Sequence, residues 1–266
     1  MAGFLKRLFG ASSAEPEPRA RLPEGRRVYA IGDVHGRLDL LTALAAAIES
    51  DDQARAPAKT SVILLGDLVD RGPDSAGVVA FARSWQQRRE VRVLGGNHEE
   101  MFLKSFENTD MLRHFLRHGG RDTLFSYGVA PKSYSQATVE QLQAIMTKAV
   151  SEEDRSYIAG FEEMIVLGDY VFVHAGIDPS QPIEAQTGAN LRWIREPFLS
   201  HTQPLGCVVV HGHTITPEPV LRENRIGLDT GAYASGKLTA LVLEGEEQSF
   251  IEAVQGEDGT IATRAY

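Results

Sequence analysis

Apolar and polar positions along this chain alternate between two periods, and the switches between them predict the elements. Arg27 to Ile31 is a short β-branched and aromatic run closed by Gly32, and Leu38, Leu41, Leu44, Ala45 and Ile48 follow at helical spacing. The order recurs as Ser61 to Leu65, a loop from Gly66 to Pro73, and a helical stretch to about Arg88, with Pro73 suited to a helix start. Val91 to Leu94 gives a third strand before another helix. Repeated βα units predict parallel strands with helices packed on the sheet, and in such sheets ligands bind beyond the carboxyl ends of the strands.

From about residue 99 to 160 the strand period disappears and helical sequence takes over, including Met111-Leu112-Arg113-His114-Phe115-Leu116 and a Gly119-Gly120 break. This predicts a helical cap insert. Strands resume at Met164 to Leu167, Tyr170 to Val173, Cys207 to Val210, Arg225 to Leu228, Leu238 to Leu243 and Gln248 to Val254. The fold class expected is α/β: a mixed β-sheet sandwich flanked by helices, with the cap inserted. Residues 11–23 are rich in Ala, Ser, Glu and Pro and lack an apolar period, so residues 1–23 are expected to be a flexible leader and 24–266 one domain. Phe4, Leu5, Leu8 and Phe9 around Lys6 and Arg7 would suit a weak amphipathic contact with an anionic membrane, although a frayed tail is favoured.

Composition narrows the function classes. With 42% hydrophobic and 24% charged residues over 266 positions, the chain reads as an ordinary globular protein with a sizeable core. A net charge of -9 argues against nucleic-acid binding, which draws most of its affinity from clustered Lys and Arg. The single Cys207 cannot form an internal disulfide and points to a reducing compartment, and with no signal peptide evident the cytoplasm is expected. No apolar run approaches the roughly 18 to 20 residues that span a bilayer.

Five strand ends are followed at once by side chains able to ligate metal: Asp33 and His35; Asp67 and Asp70; Asn97 and His98; His174; His211 and His213. Any one of these is as readily a turn cap or a satisfied core residue. Their repeated placement at one sheet edge favours a shared site. Carboxylate, amide and imidazole together suit Mn, Fe or Zn better than Ca or Mg, which prefer oxygen throughout.

Gly32-Asp33-Val34-His35-Gly36, Gly66-Asp67-Leu68-Val69-Asp70-Arg71-Gly72 and Gly96-Asn97-His98-Glu99 resemble the signature of the PPP family of calcineurin-like metallophosphoesterases. His174-Ala-Gly, Trp193-Ile-Arg195, Gly212-His213-Thr214 and Asp229-Thr230-Gly231 extend the resemblance from about Arg27 to Leu243, and it is strongest to compact bacterial and bacteriophage protein Ser/Thr phosphatases. The resemblance implies that Asp33, His35 and Asp67 hold one metal ion and that Asp67, Asn97, His174 and His213 hold a second, with Asp67 bridging. It implies two divalent ions, Mn foremost, and direct attack on phosphorus by a hydroxide shared between them. Many members of the wider superfamily carry a further histidine where this chain has Ile215, and the PPP branch lacks it too.

In this scheme Arg71 and Arg195, with Asn97, bind the substrate phosphate, and guanidinium geometry suits that task. His98 is the candidate general acid, with Asp70 orienting it. Trp193-Ile-Arg195 is a short match, so a surface charge remains the competing reading of Arg195. His114, His118 and His201 match no motif and are expected on the surface or cap. His211 would share a strand face with His213, either beside the site or in a structural role. Cys207 continues into a strand and is expected to be a buried residue, not a nucleophile. The leading function is a protein serine/threonine phosphatase. The alternative is a hydrolase of dinucleoside polyphosphates or other small phosphoesters, and a catalytically silent binding module is the third reading.

Overall fold

In the computed structural model, which describes residues 20–266, β1 (Arg26–Ile31) leads into α1 (Leu38–Ala54), and β2 (Lys59–Leu64), α2 (Ser75–Gln86) and β3 (Val91–Val93) repeat the unit. The amphipathic start and most of the expected leader fall at positions 1–19, outside the described residues. The last leader positions are docked instead of loose. Leu22 is fully buried between the sheets, its N–H donates to the Gly245 carbonyl, and the Arg21 N–H donates to Asp169.

β1, β2 and β3 run parallel, as the βα recurrence predicts. On the other side of β1 lie β9 (Lys237–Glu244), β10 (Glu247–Gln255) and β11 (Ile261–Ala265), all antiparallel to their neighbours, so the first sheet has the order β11-β10-β9-β1-β2-β3. A second mixed sheet of order β4-β5-β6-β8-β7 comprises β4 (Met164–Leu167), β5 (Tyr170–Val173), β6 (Val208–His211), β7 (Val220–Leu221) and β8 (Arg225–Gly227).

The period-2 direction of side chains on β1 makes the sandwich. Val28 and Ala30 point into a layer shared with Phe172, Val210, Ile226 and Leu241, while Tyr29 and Ile31 pack beneath α1 against Leu41, Leu44 and Ile48. Both faces being covered, the strand reads as a continuous apolar run. Burying each such Val, Leu or Phe is worth about 1.5–3 kcal/mol relative to exposure. The β11 edge strand escapes the sequence pattern because only Ile261 is even half-buried.

Between β3 and β4 comes a run of helices: α3 (Asn97–Lys104), α4 (Thr109–Phe115), a π-type turn (Leu116–Gly120), α5 (Arg121–Ser126), α6 (Pro131–Gln136), α7 (Val139–Ala149) and α8 (Glu152–Ala159). Starts are capped by Asn108, by Thr138 with Gln141 in a capping box, and by Ser151. The helices share a core of Met101, Phe102, Leu112, Phe115, Leu124, Met146 and Ile158, which reaches Val69 and Val79 of the sheet layer. That core seats the helices on the loop after β2. Among the described residues no helix is long and apolar enough to cross a membrane.

Candidate active site

The carboxyl ends of β1, β2, β3, β5 and β6 deliver Asp33, His35, Asp67, Asp70, Asn97, His98, His174 and His213 to one place, every one of them buried. The turns that aim them are strained. His35, Asp67, Asp70, Arg71 and His213 have φ of 45°, 49°, 74°, 70° and 65°, and among the described residues no other non-glycine residue has positive φ. Left-handed backbone of this kind costs about 1–3 kcal/mol per residue and persists only where surrounding structure enforces it.

Much of that enforcement comes from Glu99, to which sequence reasoning gave no role. Its carboxylate accepts from the N–H groups of Gly96, Asp67, Leu68 and Val69 at 2.7–3.2 Å and so clamps the β2 loop to the start of α3. Burial and the neighbouring Asp67 push the Glu99 carboxyl up to about 7, opposed by these donors. The glycines allow close approach. A Cβ on Gly212 would lie 2.0 Å from Asp33 Oδ1, where the carboxylate accepts the His213 N–H at 3.0–3.1 Å. Gly212→Ala is therefore expected to displace Asp33 and cut activity about 10²-fold, as misplaced catalytic groups do, while circular dichroism remains that of a folded protein. Activity within twofold would show that Asp33 tolerates displacement.

Two groups of ligand atoms surround Asp67. One comprises His35, Asp67 and His98, the other Asp67, His174 and His213, and within each the donor atoms lie within 4.8 Å of one another. Asn97 Oδ1 adjoins the second group, 3.1 Å from His174 Nε2. Asp33 stands apart from both groups and contacts Asp229, a buried carboxylate that also accepts from the Gly231 N–H. Burial and this mutual repulsion raise Asp33, and burial pushes Asp229 up to about 6. Asp229 lay within a quoted motif, but its role there was not legible.

The donor chemistry fits divalent cations. His35 Nδ1 and His174 Nδ1 donate to the carbonyls of Val69 and Leu65, both at 2.8 Å, which leaves each Nε2 with a lone pair facing Asp67. Burial pushes His35 and His213 down to about 3 and lowers His174, so these rings are neutral, the form that ligates. His213 Nε2 is buried without any hydrogen-bond partner. A cation would satisfy that nitrogen and the repelling carboxylates together.

His98 differs from the other rings. Burial would depress it, but Asp67 and the hydrogen bond from Nδ1 to Asp70 Oδ2, at 2.6 Å, outweigh burial and raise it. Asp70 is in turn held by Thr123, whose hydroxyl donates to Oδ1 at 2.6 Å. Thr123 lies on α5, so the inserted helices complete the dyad, a contact no local motif signals. Arg71 sits between two imidazoles, with Nη1 2.9 Å from His35 Nε2 and Nη2 3.0 Å from His98 Nε2. Tyr233, also unforeseen, covers it: the guanidinium carbon is 4.9 Å from the ring centre.

Arg195 is exposed and within electrostatic reach of His213, whereas the preceding Arg192 is tied to Glu100 and Glu163. His211 turns away from the cluster: its ring packs edge-on against Phe198 and its Nδ1 lies 3.0 Å from the Gly212 carbonyl. Period-2 reasoning put it on the His213 face, but β6 ends at His211 and the left-handed His213 breaks the alternation. Cys207 is half-buried next to β6, and burial raises its thiol.

The family model for calcineurin-like phosphoesterases matches residues 26–235. The asymmetrical bis(5'-nucleosyl)-tetraphosphatase PrpE of Bacillus subtilis is 26% identical over 229 residues, covering 79% of this chain and 87% of its own. The symmetrical bis(5'-nucleosyl)-tetraphosphatase of Neisseria gonorrhoeae is 25% identical, covering 86% of this chain and 97% of its own. Among solved structures, one provisionally named a diadenosine tetraphosphatase covers 92% of this chain and 98% of its own at TM-score 0.60 and 20% identity. A cold-active protein-tyrosine phosphatase of a Shewanella species covers 91% and 83% at TM-score 0.53 and 19% identity. At such identities these two structures speak to the fold alone.

Proposed function

Because this chain belongs to the calcineurin-like phosphoesterase family, and is on that ground a metal-dependent phosphoesterase, we propose that it hydrolyses dinucleoside polyphosphates. The order of the readings reverses here. Sequence motifs put a protein serine/threonine phosphatase first, but the motifs describe the metal and phosphate machinery, which related enzymes share whatever the leaving group. The observation that carries the substrate class is the likeness to bis(5'-nucleosyl)-tetraphosphatases across about four fifths of the chain. It favours the alternative. A silent binding module is disfavoured by the raised His98 held on Asp70 beside the ligand clusters.

In the proposed site Asp33, His35 and Asp67 would hold one cation, and Asp67, Asn97, His174 and His213 the other, with manganese the proposed metal and iron or zinc the substitutes. When bound, such a pair supplies Lewis acidity toward phosphoryl oxygens and lowers the pKa of a water. The protein's own groups do the rest. Arg71, Arg195 and Asn97 would grip the non-bridging oxygens and neutralise the charge spread over them. A water that has lost one proton to solvent forms its bond to phosphorus as hydroxide, the bond from phosphorus to the leaving oxygen breaks, and the His98 ring passes its Nε2 proton to that oxygen while Asp70 holds Nδ1; the ring regains its proton from solvent. Protonated His98 cannot also accept from Arg71 Nη2, so the guanidinium is released toward the phosphate when the acid is charged.

Side-by-side kinetics with diadenosine tetraphosphate and a phosphoserine peptide, both with added manganese, test the assignment. The dinucleotide is expected to have the larger kcat/KM by about tenfold or more, the scale on which a well-placed charge contact discriminates. A phosphopeptide preference of the same size would return the protein phosphatase reading.

A further inference from the structure

Leu116–Gly120 is a kinked turn, with Gly119 at φ 109° outside helical space, that joins two of the inserted helices. Here the turn is fastened to the phosphate-binding arginine. The Gly119 carbonyl accepts the Arg71 N–H at 3.2 Å, and a Cβ on Gly119, whose φ is 109°, would lie 2.7 Å from Arg71 Cγ. No other residue than glycine fits so close an approach in that conformation.

Around this anchor stand His114, Arg117 and His118. The two imidazole rings lie 4.1 Å apart, and His118 Nδ1 donates to the His114 carbonyl at 2.8 Å. Arg117 and His118 are exposed, and His114 is half-buried. The flanking Arg113 and Arg121 pair with Asp110 and Asp122, but among the described residues Arg117 forms no ion pair. Burial and the neighbouring His118, Arg117 and His98 lower His114, so His114 lies within electrostatic reach of His98. On a chain of net charge -9, this shelf, an exposed arginine with no carboxylate partner among the described residues beside two imidazoles, is a place an anion could use.

We propose that His114, Arg117 and His118 form the leaving-group subsite, which takes the phosphoryl groups beyond the one attacked. The inference rests on the dinucleotide reading and deepens it. His98 is the acid at the leaving oxygen, and the turn that carries these residues is fastened through Gly119 to Arg71, whose guanidinium lies 3.0 Å from His98 Nε2, so a leaving group passing His98 meets this segment. A nucleoside polyphosphate leaving group carries several negative charges for Arg117 to neutralise and many oxygens for a His114 ring N–H to bind. A serine or threonine hydroxyl carries none, and would gain nothing from the shelf.

The test uses the full chain with manganese in excess over any polyphosphate. For the double variant Arg117→Ala/His118→Ala, the ratio of kcat/KM for diadenosine tetraphosphate to that for phenyl phosphate is expected to fall about tenfold, and the Ki of inorganic tripolyphosphate against phenyl phosphate to rise about as much. Arg117→Lys should recover part of both. Parallel losses on the two substrates, or an unchanged Ki, would overturn the shelf. If the parent protein fails to cleave the dinucleotide yet its tripolyphosphate Ki depends on Arg117, the dinucleotide reading falls and the shelf stands as a polyphosphate site.

Discussion

Asp67→Asn is expected to lower kcat at least about 10³-fold and to reduce bound metal in the same preparation, because the cations supply several kcal/mol of transition-state stabilisation. Asp67 alone belongs to both ligand groups, with Oδ2 3.4 Å from His35 Nε2 and Oδ1 3.4 Å from His174 Nε2. Burial would push its carboxyl up, yet His174, His98, His35 and His213 together hold it well below the usual carboxylate range. The amide is nearly isosteric. Its oxygen can still accept the His98 N–H that Oδ1 accepts at 3.0 Å, so the loop geometry should survive while the charge is lost. Elemental analysis and turnover, measured together and with the melting temperature of metal-free protein as the control for folding, decide the matter. Normal turnover at two metals per chain would end the bridging role.

The second large effect concerns the proton. His98→Asn is expected to slow hydrolysis of an alkyl phosphate about 10²- to 10⁴-fold, the usual worth of a positioned general acid. An activated aryl ester should lose far less, because its leaving group departs with little help. Diadenosine tetraphosphate should fall between them, since a phosphate leaving oxygen is less basic than an alkoxide. Equal losses on all three would remove the acid role and leave His98 as a ligand of the first group, where its Nε2 lies 3.9 Å from Asp67 Oδ2. Asp70→Asn adds a check on the pair. It removes one of the two charges that raise His98, so the high-pH limb of its profile, where the acid loses its proton, should move to lower pH, whereas a purely structural Asp70 would leave the limb in place.

Not every functional contact could be read from the chain. Each proposed ligand follows closely on an apolar strand, and a strand's direction fixes where the next two or three residues go. That is why Asp33, His35, Asp67, Asn97 and His174 could be named from local pattern. Glu99 was visible within Gly-Asn-His-Glu, but its use was not, because its partners are backbone N–H groups about thirty positions away, which have no side-chain signature. Thr123 and Tyr233 sit in segments with no motif of their own. Their contacts with Asp70 and Arg71 come from docking of whole elements.

His114 and His118 show the same limit from the other side. Their sequence neighbours make them ordinary helix-surface residues, and only the seating of the turn at Leu116–Gly120 on Arg71 brings their segment next to the site. The sequence leaves His211 open between a place beside the site and a structural role, and its packing on Phe198 follows because period-2 alternation holds only while the backbone stays extended and His213 leaves that region at φ 65°. By itself, then, the sequence determined the βα order, the sandwich layers and the residues at the strand ends, because hydrophobic periodicity and short strand-to-loop turns are local. Which of those residues stand close enough together to share an ion, which imidazole is raised by its neighbours, and which helices border the cluster were decided by tertiary structure, because charge, burial and through-space contact depend on segments distant in the chain.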